Sequence, residues 1–393
     1  MAGWAARAEE AGRGMLLDAS HTRAEARLVG VSAEGRFTFQ VGKDTRRVPT
    51  AELVAWGAPV EPRDAPQVLL ANGSLLVVRE ILKTQDERLL LDSDAVGEFA
   101  APLSTIAGVL LHPPIDPQRR DRLAARFAPP AGRPDEPLPE PPPRGDRLLL
   151  ENGDELHGRI TAVTDTAVEF TADVGPLTVD RQRIIALGFA SSQREGRSSP
   201  QRLLVGLRGG SVLNAAALTL DHDQAQVNIS DDLRLTAPAA AVVYAQTIGG
   251  RAAYLSDLEP ESYRHLPYLS IDWPYRLDAN VTGTRLRAGG KIYAKGVGMH
   301  STARLTFRLE KAYRRFQAEL AIDDQTQLRG SVVFRVLAGP REIYKSGVVR
   351  GGDPPLPISV DIGGATQLSL VVDYADRADE LDHADWLNAR LIE

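Results

Sequence analysis

The chain has 393 residues, a formal net charge of -6, 43% apolar and 25% charged residues, and no cysteine. A chain of this length outgrows one hydrophobic core, and it holds no unbroken apolar run of the ~18 residues that a membrane helix requires. The acidic balance gives no broad positive field for nucleic acid or anionic lipid, and the missing cysteine removes disulfides, thiolate metal sites, iron–sulfur clusters and cysteine nucleophiles.

Residues 1–14 read as an N-terminal tail. Its first residues, Met1-Ala-Gly-Trp-Ala-Ala, lack the ~7–15-residue apolar stretch of a secretory signal, so the chain as given carries no complete signal peptide. Ala6-Arg7-Ala8 has the small-x-small form of a cleavage tail. The expectation is therefore a signal-peptide remnant on an extracytoplasmic protein, periplasmic or secreted.

Between Met15 and Tyr244, short leucine-rich and β-branched runs alternate with Gly, Asn and Asp, the pattern of a mainly β chain. Val68-Leu-Leu-Ala-Asn72-Gly73 and Leu148-Leu-Leu-Glu-Asn152-Gly153 are similar to each other, each a hydrophobic strand running into Asn-Gly. That dipeptide between alternating runs predicts a two-residue type I′ hairpin turn. The copies close at Ile106-Ala-Gly-Val-Leu-Leu111 and Ile184-Ile-Ala-Leu-Gly-Phe189, and weaker copies run from Met15 to Trp56 and from Leu203 to Tyr244. Repeats of roughly forty residues with four or five strands each predict small SH3-like or Sm-like barrels, two over 15–111 and two over 147–250. Between them, 112–146 reads as a proline-rich linker with one short helix, Gln118 to Phe127. Ser191 to Pro200 reads as a polar hinge.

From residue 251 onward the runs Phe316–Ile322, Gly330–Leu337, Glu342–Ser346 and Leu368–Val372 alternate with turn residues, which suggests a sandwich of antiparallel strands. The segments Lys295-Gly-Val-Gly-Met-His-Ser301, Gly330-Ser-Val-Val-Phe-Arg-Val336, Ile343-Tyr-Lys-Ser-Gly-Val348 and Asp382-His-Ala-Asp-Trp386 come in an order that closely resembles the NPCBM family. Tyr254-Leu-Ser-Asp257 is similar to that family's opening strand, while Ala338-Gly-Pro340 stands where the family carries an Asp-Gly turn. The resemblance covers residues 251–393 and implies a galactose-binding-like jelly-roll β-sandwich that binds sugars and is often appended to glycoside hydrolases.

Sugar recognition asks for a flat apolar surface against the C–H face of a pyranose and a few polar groups for its hydroxyls. The candidates are Trp273, Tyr275, His300, Asp323, Asp324, Asp382, His383, Asp385 and Trp386. Each has a plainer reading. A Trp in a small sandwich more often fills the core, adjacent carboxylates at a strand end more often shape a turn, and a histidine after three flexible residues is as often a structural hydrogen-bond partner. Asp373, Asp376, Asp379 and Asp382 are the candidates for a structural calcium ion, weighed against a charged surface loop, and no other cofactor is expected.

No Gly-x-Ser-x-Gly elbow, His-Glu-x-x-His helix or phosphate-cradling glycine loop is present. The expected function is non-catalytic binding of glycans with terminal galactose-like sugars, with the N-terminal repeats as scaffold or as modules for other proteins. The alternatives are an assembly protein with a degenerate sugar site and a chain that serves or performs glycoside hydrolysis.

Overall fold

The computed structural model describes residues 12–20, 22–128, 145–190, 201–221, 223–268 and 271–393. Most of the N-terminal tail, the proline-rich stretch 129–144 and the polar hinge 191–200 lie outside the described residues. The chain divides into two compact units: residues 1–17, 23–50 and 55–247, and residues 18–22, 51–54 and 248–393. No helix among the described residues is long and apolar enough to cross a membrane.

The first unit contains the four repeats. The first has five strands, from Arg13–Asp18 to Leu53–Gly57, and the third likewise runs from Asp146–Leu150 to Ile184–Gly188. In the second (Gln67–Leu70 to Ile106–Leu110) and the fourth (Arg202–Leu207 to Val242–Ile248), one further break gives six. In every repeat a single 3-10 turn precedes the last strand: Thr50–Glu52, Leu103–Thr105, Arg181–Arg183 and Ala239–Ala241. In every repeat the first strand also pairs with the last, and in the second repeat Glu80–Gln85, Arg88–Ser93 and Gly97–Pro102 form a three-stranded sheet of their own.

The closing strands then pair with one another antiparallel. Tyr244 lies opposite Gly57 and Ala245 opposite Trp56, joining the first repeat to the fourth; Val109 lies opposite Leu187, joining the second to the third. The expected two-residue turns are instead three-residue loops. Leu70 N donates to Ser74 O at 2.9 Å and Leu150 N to Asp154 O at 2.9 Å, so Ala71–Gly73 and Glu151–Gly153 form the loops. Only the glycine of each loop has positive φ, 87° at Gly73 and 89° at Gly153, whereas a type I′ turn needs two such residues. The Asn instead folds back, accepting from Ser74 N at 2.9 Å and from Asp154 N at 3.1 Å.

The predicted helix is Pro117–Phe127, with Asp116 capping Arg119 N. It is not free in a linker. Leu123, Ala124 and Phe127 are buried against Leu69, Leu110 and Leu149, so its apolar stripe seals strands of the second and third repeats.

The second unit is a sandwich of two antiparallel sheets. One has the order Arg276–Leu277, Gly296–His300, His383–Ile392, Arg315–Ile322, Leu356–Asp361, with Ala252–Tyr254 also on His383–Ile392. The other has the order Pro260–His265, Ala303–Arg308, Gln367–Tyr374, Ser331–Ala338, Arg341–Arg350. The facing sides contribute one core containing Val297, Met299, Leu305, Phe316, Phe334, Leu370 and Trp386. Ala338-Gly-Pro340 makes the turn between Ser331–Ala338 and Arg341–Arg350, with Gly339 at φ 57°. A hairpin, Leu286–Ala288 and Lys291–Tyr293, lays Leu286 and Ala288 on Ala321 and Leu387, on the outer side of the first sheet.

Candidate functional site

On strand His383–Ile392, alternation sends Ala384 and Trp386 inward and His383 and Asp385 outward. Trp386 is fully buried, edge-on to Phe334 with ring centroids 5.0 Å apart, and it also meets Phe316. It fills the core and offers no surface to a sugar. Tyr275 packs against the same core and tilts on Tyr263 at 4.9 Å.

The acidic candidates serve the fold. Asp323 is buried and accepts from Gln325 N at 3.0 Å and Arg287 N at 3.1 Å, while Asp324 accepts from Gly289 N and Gly290 N at 3.0 and 2.9 Å, holding the hairpin loop. Asp385 is fully buried, and burial together with Asp323 raises its pKa well above the usual carboxylate range. Asp382 accepts from Ser301 Oγ at 2.6 Å and from Ser331 N at 2.8 Å.

The calcium candidates do not converge. Asp373 binds Arg335 at 3.0 Å and Asp376 binds Arg350 at 2.7 Å, each carboxylate neutralised by its own guanidinium. Among the described residues, no group of three or more His, Asp or Glu side chains is placed to hold a metal ion.

Trp273, His300 and His383 do come together. His300 lies directly opposite His383 across two neighbouring strands, with ring centroids 5.7 Å apart. Trp273 lies parallel to His300, at 4.8 Å and 5°, and 5.7 Å from His383. The loop that brings the indole there is seated on strand Gly296–His300. Strand Arg276–Leu277, just after Trp273, pairs with it, and Gly298 leaves room for the Ala279–Asn280 backbone beyond that strand, since a Cβ there would stand 2.5 Å from Ala279 O. Trp273 is half-buried, so part of its ring stays open.

Two further residues, unmarked in the sequence, complete the cluster. His265, at the end of Pro260–His265, meets His300 edge-on at 6.1 Å and accepts from Trp273 N at 3.3 Å, which fixes the strand end to the indole. Its Nδ1 being an acceptor, Nε2 carries the proton donated to Ser301 O at 3.1 Å. Gln325 Nε2 donates to His383 Nδ1 at 3.1 Å, its amide oriented by Thr282 Oγ1 donating to its oxygen at 3.1 Å.

These bonds fix the ring nitrogens that remain. His300 donates Nδ1–H to Ser301 O at 2.8 Å, which leaves Nε2 as an acceptor; His383 accepts at Nδ1, which leaves Nε2–H as a donor. Burial lowers the pKa of both, and burial together with His300 pushes His383 down to about 4. Both imidazoles are neutral at physiological pH. The cluster thus presents one acceptor, one donor and an indole, a set suited to a neutral polyhydroxylated ligand rather than to an ion.

Residues 251–392 match the NPCBM/NEW2 domain. Alpha-1,3-galactosidase B of Akkermansia muciniphila is 34% identical over 117 residues, which is 29% of this chain but 15% of that protein's length. Among solved structures, the CBM51 of Clostridium perfringens GH95 in complex with methyl-galactose is 25% identical over 36% of this chain and 99% of its own, with a TM-score of 0.32. CBM51-2 with the INT domains of Clostridium perfringens ZmpB, in complex with GlcNAc, is 22% identical over 56% of this chain and 44% of its own, with a TM-score of 0.33.

Proposed function

We propose that the C-terminal sandwich, an NPCBM/NEW2 domain, binds a glycan at Trp273, His300 and His383 without catalysing its cleavage. The observation that carries this reading is the pair of neutral imidazoles with one free acceptor and one free donor nitrogen beside a partly open indole. A pyranose laid against the indole stacks its C–H face, while adjacent hydroxyls reach His383 Nε2–H and His300 Nε2. A terminal galactose-like sugar is the expected ligand, in keeping with the galactosidase named among the relatives. The reading places the chain outside the cytoplasm, where such glycans are met. The four repeats are its scaffold, with other proteins as further partners.

The test is a glycan array probed with the full chain and with Trp273→Ala, with and without a calcium chelator. Wild type should bind galactose-terminated glycans with or without chelator, and Trp273→Ala should lose roughly tenfold or more in affinity. Equal binding by both proteins would remove Trp273 from the site, and no glycan signal from wild type would reject the function.

A further inference from the structure

One row of side chains crosses all five strands of the second sheet. In register, Arg264 lies opposite Arg304, Arg304 opposite Val371, Val371 opposite Arg335, and Arg335 opposite Lys345. Their neighbours along each strand, Leu305, Leu370, Phe334 and Tyr344, belong to the core or pack on it, so the row points away from the core. Arg264, Arg304 and Lys345 are exposed, and Val371 between them is buried.

Like charges directly opposite on neighbouring strands destabilise a sheet, and this row contains two such pairs in a chain of net charge -6. Arg335 is neutralised by Asp373 at 3.0 Å and Glu342 at 2.6 Å. Among the described residues, Arg264, Arg304 and Lys345 pair with no carboxylate, and Arg304 reaches only Ser369 Oγ at 3.1 Å. At a strand spacing of about 4.8 Å, the row spans roughly 19 Å, with the two free guanidinium groups at one end and the free ammonium at the other. That is too far for one sugar and suits several sugars of a chain.

The geometry points to this face as a second glycan site, separate from the Trp273 cluster, for an anionic polysaccharide whose repeating carboxylate or sulfate groups replace the counter-charge the sheet lacks. The guanidinium pair takes one anion through paired N–H donors, and Lys345 holds another as a point charge. Between them lie Val371 and Arg335, the latter held by Asp373 and Glu342, and the polymer backbone passes over these. The acidic balance of the whole chain does not oppose this, because salt screens distant charges within about 10 Å while the row acts at contact.

The experiment is affinity electrophoresis and titration of the full chain with polygalacturonate, dextran sulfate and uncharged dextran at two ionic strengths. Wild type is expected to bind at least one charged polymer and not dextran, more weakly at high salt. The carboxylate and sulfate arms identify the preferred anion. Arg264→Gln with Arg304→Gln should weaken binding roughly tenfold, and Lys345→Gln severalfold, whereas Trp273→Ala should leave it unchanged. If the double variant fails to fold, Arg264→Gln alone and Lys345→Gln carry the same expectation. Arg36→Gln with Arg47→Gln, on exposed strand positions of the first repeat, should have no effect. Absence of binding to both charged polymers, retention of full affinity without the two arginines, or an equal loss in the first-repeat variant would each overturn the site.

Discussion

At the residue scale, two neighbours in sequence respond to acid in opposite directions. His383, pushed down to about 4, binds its proton in the unfolded chain from about pH 6.5 but in the folded chain only near 4. Stability that depends on it is present above about pH 6.5 and is withdrawn as the pH falls toward 4. Asp382, pushed up to about 6 by burial, holds its proton more tightly when folded. Its contribution is present below about pH 4 and is lost as the pH rises through 6. Denaturant unfolding across pH 4–7 should separate them. Relative to wild type, His383→Gln should gain stability as the pH falls, and Asp382→Asn should gain stability as it rises; parallel curves would mean that neither group titrates in that window. Of the site's residues, Trp273, His300 and His383 were legible as types able to meet a sugar. Trp386 and Asp385 were equally suitable by type; strand phase turns Trp386 inward, whereas Asp385 shares the outward phase of His383 and is set apart by its burial against Asp323.

At the element scale, turns and loop seats decide how the strands sit. Gly73→Ala and Gly153→Ala force an L side chain to a φ near 90° and should each cost about 1 kcal/mol, read as a lower midpoint of chemical denaturation with an unchanged slope. Gly298→Ala should act elsewhere. Its Cβ must displace the Ala279–Asn280 backbone, which lies beyond strand 276–277 from Trp273, so stability should fall more than galactoside affinity does. Strands 315–322 and 331–338 were readable because alternation and sheet burial share a period of two. The hairpin loops were misjudged by one residue, because Asn-Gly fits both turn types and only the closure of strand on strand selects between them.

At the scale of the whole molecule, the chain offers one Trp273 cluster per copy, and a shallow site that exchanges water for hydroxyl contacts binds on the order of 0.1–1 mM. Titration with a monovalent galactoside should fall in that range, whereas a surface bearing several copies of the chain should capture a multivalent glycan at least roughly a hundredfold more tightly. Equal affinity in both formats would argue against simple avidity. By itself the sequence determined that the protein is mainly β and ends in a sandwich, and it named side chains of the types a sugar site needs, since these follow from composition, period and turn chemistry. Tertiary structure alone decided that first-repeat strands pair with the fourth and second with the third, that His265 and Gln325 join the site, and that four cations share one row. Each of those depends on the register between strands far apart in the chain, and a one-residue slip would turn every such side chain to the other face.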